Sequence, residues 1–185
     1  MSRADRFDRA DFPSPSPALQ PEVPSQVVRS SSAEGRARGL TWPVEVITRV
    51  GDSLLADRDG KGTPHFGLDI FAAVGTVVLA AADGSVLRVG DGRNSADKNR
   101  KRAGLWIDVL GTDSRVYRYL HLGSASVSKH EKVVAGQPIG TVAAAFTSGT
   151  GKGPHLHFEV RVGDWSRGDY GRALDPTTLL APRRV

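Results

Sequence analysis

The chain contains no cysteine. Disulfides, zinc ribbons and thiol nucleophiles are therefore excluded, and any bound metal is left to His, Asp or Glu. No run approaches the roughly 20 apolar residues of a membrane-spanning helix, and residues 1–30 have no apolar core of the signal-peptide kind. The sequence as read thus offers no transmembrane segment and no export address. No Gly-x-Ser-x-Gly elbow supports a serine hydrolase, and no segment repeats.

What is present is a chain of 185 residues with 39% apolar content and a mean hydropathy of −0.28, enough for one globular domain with a modest tail. The formal charge of +5 and the pI near 9.9 favour an anionic surrounding: nucleic acid, a lipid headgroup layer or a bacterial wall polymer. Part of the excess lies in Arg93–Arg102, which reads as a solvated loop between two strands. No aromatic residue interleaves with these bases, so a stacking platform for single-stranded nucleic acid is lacking, and no specific nucleic-acid partner is expected.

Residues 1–38 are rich in Pro, Ser, Arg and Asp and have neither helical nor strand period, which predicts a disordered or extended lead-in. From Gly39-Leu40-Thr41-Trp42-Pro43 onward, short β-branched runs alternate with glycine-marked turns, so residues 39–185 form the domain. Strands are predicted at 44–50, 68–74, 76–81, 84–90, 105–110, 115–122, 132–136, 139–145 and 155–162. Close spacing and turns such as Ala82-Asp83-Gly84 and Gly111-Thr112-Asp113 predict an all-β fold, an antiparallel sandwich or split barrel. One short C-terminal helix is expected at Asp175–Leu180, with an N-cap and a proline at its first position.

Two of the five histidines stand one residue apart in Pro154-His155-Leu156-His157-Phe158-Glu159-Val160. On a strand, His155, His157 and Glu159 share one face while Leu156, Phe158 and Val160 take the core side. The two histidines either bind one metal together or divide a reaction between them. A second cluster, His65-Phe66-Gly67-Leu68-Asp69, would separate its polar residues by about 13 Å on a straight strand; only a bend, which Gly67 permits, brings them together. Two look-alikes fail. His130-Glu131-Lys132-Val133-Val134 lacks the second histidine of a His-Glu-x-x-His helix, and Gly149-Thr150-Gly151-Lys152-Gly153 lacks the first glycine and the Ser/Thr of a phosphate loop.

His65-Phe66-Gly67-Leu68-Asp69, Gly75-Thr76-Val77-Val78, Ala82-Asp83-Gly84-Ser85-Val86, Tyr119-Leu120-His121-Leu122, Gly136-Gln137-Pro138-Ile139-Gly140 and Gly153–Val160 occur in the order and spacing of one family. Together they resemble the lysostaphin-type (M23, LytM-like) zinc metallopeptidases, over residues 42 to about 181. The resemblance implies an open groove with Zn2+ held by His65, Asp69 and His157, and His121 and His155 as unligated catalytic histidines. Two histidines and one carboxylate leave a fourth tetrahedral position for water. It also implies a zinc metalloendopeptidase that cuts the cross-links or bridges of bacterial peptidoglycan, at the cell wall, in the periplasm or outside the cell. Two alternatives are a non-catalytic wall-binding or regulatory module of the same fold, and a phage-borne or effector lytic enzyme. A monomer is expected. Tyr119 is expected on the strand face of His121, and Glu159 either orients a ligand histidine or pairs with Arg161. The chain departs from the family at Val50-Gly51-Asp52-Ser53, where an aromatic-glycine-x-arginine segment is common, so the groove wall there is expected to differ. No Asn occurs in residues 1–64, so a latent form plugged by asparagine is not available; Asp57 or Asp59 could substitute.

Overall fold

The computed structural model describes residues 39–56, 64–149, 153–163 and 172–182. The predicted lead-in 1–38, Asp57, Asp59 and the middle of the glycine-rich turn at 149–153 lie outside them. The elements run β1 (Arg49–Val50), β2 (Leu68–Phe71), β3 (Val77–Leu79), β4 (Gly84–Asp91), α1 (Lys98–Ala103), β5 (Leu105–Gly111), β6 (Val116–Ala125), β7 (Lys132–Val133), β8 (Pro138–Val142), β9 (His155–Val162) and β10 (Arg172–Leu174). Every pairing between them is antiparallel. The main path is β1-β2-β9-β6-β5-β4-β7, with β10 beside β9 and β3 joined through β8 to β6. The ends of this path do not meet, so the sheet is open and not a closed barrel.

β6 is the strand on which the sheet forks. Its first half, Val116–Leu120, pairs with β9, and its second half, from Leu122 to Ala125, pairs with β8. On the other side Leu105 faces Leu122 and Ile107 faces Tyr119, so β6 carries one extra residue there. That is a β-bulge, which bends a strand and re-aims a side chain.

The core face carries Leu68 and Ile70 of β2, Ile107 and Val109 of β5, Tyr117 and Tyr119 of β6 and Leu156, Phe158 and Val160 of β9, all fully buried. The Phe158 ring lies against Tyr119 at 5.3 Å and parallel to Tyr117 at 6.4 Å. Burying such a side chain stabilises the fold by about 1.5–3 kcal/mol, and this packing fixes the register of β2, β9 and β6. Among the described residues, no helix is long and apolar enough to cross a membrane.

Several elements differ from the sequence expectation. Of 44–50 only Arg49–Val50 is strand, because Val44 turns into the core while Val46 stays exposed. Within the predicted loop, Lys98–Ala103 is a helix: the Asp97 carboxylate accepts from the N–H groups of Asn99 and Arg100, and Gly104 closes it at φ 72°. It has no apolar face to betray it in the sequence. The C-terminal helix is a single 3₁₀ turn, Pro176–Thr178, capped by Asp175, and the short edge strand β10 was not foreseen.

Candidate metal centre

β2 and β9 pair with Leu68 opposite Phe158, Asp69 opposite His157, Ile70 opposite Leu156 and Phe71 opposite His155. The core pairs therefore dictate that Asp69 and His157 meet on the other face. His65 precedes β2, beyond a bend at Gly67. A Cβ on Gly67 would sit 2.4 Å from the Phe158 carbonyl oxygen and 2.9 Å from Glu159 Cγ, so only glycine lets the chain press against β9 there. The bend brings His65 Nε2 to 3.2 Å from Asp69 Oδ1. His157 Nδ1 is 2.9 Å from both Asp69 Oδ1 and His65 Nε2.

The outer nitrogen of each histidine is committed elsewhere. His65 Nδ1 donates to the Ser53 carbonyl at 2.8 Å, and His157 Nε2 donates to Glu159 Oε1 at 3.0 Å. Those bonds fix neutral tautomers whose lone pairs aim inward. Two imidazole nitrogens and a carboxylate oxygen then converge as acceptors, an arrangement that suits a cation. Three ligands at 2.0–2.2 Å from one tetrahedral ion are about 3.3–3.6 Å apart, so the observed spacings fit after shifts of a few tenths of an ångström. His65, Asp69 and His157, all buried, form a group able to hold a metal ion.

His155 lies on the same face of β9, with Nδ1 donating to the Gly153 carbonyl at 2.8 Å. Its Nε2 turns toward the centre, 3.8 Å from Asp69 Oδ1. Phe71 stacks on its ring at 5.3 Å, and the Arg49 guanidinium covers Phe71 at 4.0 Å.

His121 comes from the fork in β6. Its φ is +64°, a left-handed conformation uncommon outside glycine. Strict alternation would put His121 on the core face with Tyr119. The bulge turns its ring instead toward the metal-site face, 4.9 Å from His155 and 5.9 Å from His157. Tyr119 does not share that face. It is fully buried, and its hydroxyl accepts from the Ala81 N–H at 2.8 Å. The expectation that the two residues lie together fails because the extra residue in β6 breaks the period of two.

Glu159 touches both of the partners weighed for it, His157 and Arg161. Oε1 accepts from His157, and Oε2 accepts from Arg161 Nε at 2.5 Å, with Arg118 Nη1 at 3.8 Å. Burial alone raises the Glu159 pKa, but the hydrogen bond from His157, the charge of Arg118 and the hydrogen bond from Arg161 outweigh it and hold the carboxyl below its usual range. Arg118 is in turn fixed by Asp108, Nε to Oδ1 at 2.8 Å, across the next strand. Sequence reasoning missed Ser53, Phe71 and Arg118. Ser53 acts through a backbone carbonyl that any residue supplies, whereas Phe71, two residues from Asp69, could have been found from the alternation of β2.

Peptidase family M23 matches residues 63–176. The chain belongs to this family. Among curated M23-like relatives, the peptidoglycan DD-endopeptidase ShyA of Vibrio cholerae is 35% identical over 101 residues, 54% of this chain and 20% of that protein. The catalytic domain of the antimicrobial peptidase lysostaphin from Staphylococcus simulans superposes with a TM-score of 0.58 at 28% identity, covering 70% of this chain and 90% of that domain. A zinc containing peptidase from Vibrio cholerae gives 0.62 at 27% identity, covering 78% of this chain and 41% of that one. The chain spans about a quarter of the length of the curated relatives that it matches.

Proposed function

We propose that this M23 chain is a zinc-dependent metalloendopeptidase that hydrolyses peptide cross-links or bridges of bacterial peptidoglycan. The observation that carries the reading is the convergence of His65 Nε2, His157 Nδ1 and Asp69 Oδ1 beside two further histidine rings. The names of the family relatives, a peptidoglycan endopeptidase among them, supply the substrate class. Zinc bound by these three residues would polarise the scissile carbonyl and acidify a water.

The remaining steps fall to the protein. His155, whose Nδ1–H is held by the Gly153 carbonyl, offers Nε2 as an acceptor, and so takes the proton of the attacking water and returns it to the leaving amine. His121 faces His155 across the site and hydrogen-bonds the oxyanion that develops on the carbonyl oxygen. Phe71 keeps the His155 ring in line by stacking. Glu159, Ser53 and the Gly153 carbonyl hold three tautomers fixed, so the site need not reorganise when charge moves.

The test is incubation of the zinc-loaded protein with purified peptidoglycan of several chemotypes and mass spectrometry of the released fragments. Cleavage should yield new peptide termini, stop when zinc is chelated and resume when zinc is restored. If no chemotype is cut and His155→Ala binds the wall as well as the wild type, the enzymatic reading fails.

A further inference from the structure

α1 buries none of its six residues, so core packing does not account for it. Lys98, Arg100, Lys101 and Arg102 are all exposed, and none makes an ion pair among the described residues. Elsewhere five arginines are ion-paired: Arg88 and Arg118 face Asp108, Arg93 faces Asp91, Arg115 faces Asp113 and Arg161 faces Glu159. Four like charges within two turns repel one another and destabilise so short a helix.

The position of α1 gives this cluster a purpose. The Gly92 N–H donates to the Gly104 carbonyl at 2.8 Å and closes the base of the β4–β5 connection. Leu105 N–H donates to Ser148 Oγ at 2.9 Å, which ties the loop before β9 to the same base. Gly149 then lies between the last turn of α1 and the site: a Cβ there would be 2.4 Å from the Arg102 carbonyl oxygen and 2.3 Å from His121 Nδ1. One residue's thickness of backbone separates α1 from His121. In the same loop Phe146 is 70% exposed with φ +60°, a second feature that costs stability without contributing to the core.

The geometry points to α1 as a docking surface for the carboxylates of the peptidoglycan strand whose peptide occupies the groove, gripping it on the His121 side. This rests on the proposed function. The occupant follows from charge complementarity and position: a polymer strand bound across His121 must continue past its wall, and α1 meets it with four exposed cations that make no ion pair among the described residues.

The experiment uses the full chain with Lys98, Arg100, Lys101 and Arg102 all changed to Gln, a residue that keeps helix propensity. Co-sedimentation with purified peptidoglycan, stripped of phosphate-containing polymers, is measured at low and high salt. The variant should bind about tenfold more weakly at low salt, and the difference should shrink as salt rises. Its turnover of a short uncharged peptide substrate should match the wild type. The control is Lys129→Gln with Lys132→Gln; Lys132 pairs with Ser85, at the opposite end of β4 from α1, and this double variant should bind as wild type. Equal binding by the α1 variant, an equal loss in the control, or wild-type binding that disappears once the phosphate polymers are stripped would each overturn the proposal. The same holds if only anionic lipid vesicles capture the protein. Failure of the proposed peptidase activity is separately visible, since co-sedimentation needs no cleavage.

Discussion

His157 Nε2 donates to Glu159 Oε1 at 3.0 Å from the same face of one strand, and this bond leaves His157 Nδ1 as the inward-facing acceptor. The carboxylate is itself held by Arg161 and Arg118. Removing it should free the imidazole to turn and to exchange tautomers. Glu159→Ala is predicted to weaken zinc binding by about 10- to 100-fold, whereas Glu159→Gln, which keeps an acceptor oxygen, should lose less. Chelator competition measures the affinity, and ¹⁵N chemical shifts of the imidazole report the tautomer. Unchanged affinity in both variants would show that the bond is merely structural.

His157 and His155 are predicted to separate metal binding from turnover. His157→Ala should lose the metal. His155→Ala should retain it and lose turnover by about 10²- to 10⁴-fold. Metal content by atomic absorption, measured beside the cleavage rate, decides the matter; equal zinc loss in the two variants contradicts the division of labour.

Gly149 is predicted to position His121. Its φ is +85°, and an added Cβ would meet His121 Nδ1 at 2.3 Å. Gly149→Ala should therefore lower stability by about 1–2 kcal/mol from the backbone alone and reduce turnover while zinc affinity stays as in the wild type. Denaturant melts, metal titration and kinetics separate these effects, and a variant with wild-type turnover would refute the positioning role.

Alkali should unfold the domain through its buried phenols. Burial, and the hydrogen bond donated to Asp113, push the Tyr117 pKa above its ordinary 10.0. Burial raises that of Tyr119, outweighing the opposing Ala81 N–H. Because the fold favours the neutral phenols, their contribution is complete below pH of about 10 and declines as pH rises beyond it. Tyrosinate absorbance from these two residues should appear together with loss of circular dichroism. Ionisation of both before any change in dichroism would count against it.

Much of the site was legible because strands carry a period of two. The alternation in His155–Val160 separated polar from core residues, and the glycine in His65–Asp69 marked the required bend. Less legible were features that depend on partners distant in sequence. The face taken by His121 follows from an extra residue in β6 at the point where β9 gives way to β8, and no local pattern in Tyr119–Leu122 records that exchange. Ser53 contributes only a carbonyl. α1 was hidden by its charge, although Asp97 and Gly104 stand at its ends as capping residues.

The sequence by itself determined the donor chemistry, since a chain without cysteine leaves a metal to histidine and carboxylate, and it determined which side chains of β9 share a face. The tertiary structure decided which of those groups meet. Asp69 and His157 are 88 residues apart, and His65 and His157 are 92; they converge because packing of Leu68 on Phe158 and Ile70 on Leu156 selects one register of β2 against β9. A slip of one residue would turn Asp69 into the core. The inward lone pairs and the orientation of His121 likewise depend on carbonyls, a carboxylate and a strand fork that come into contact only when the sheet is assembled.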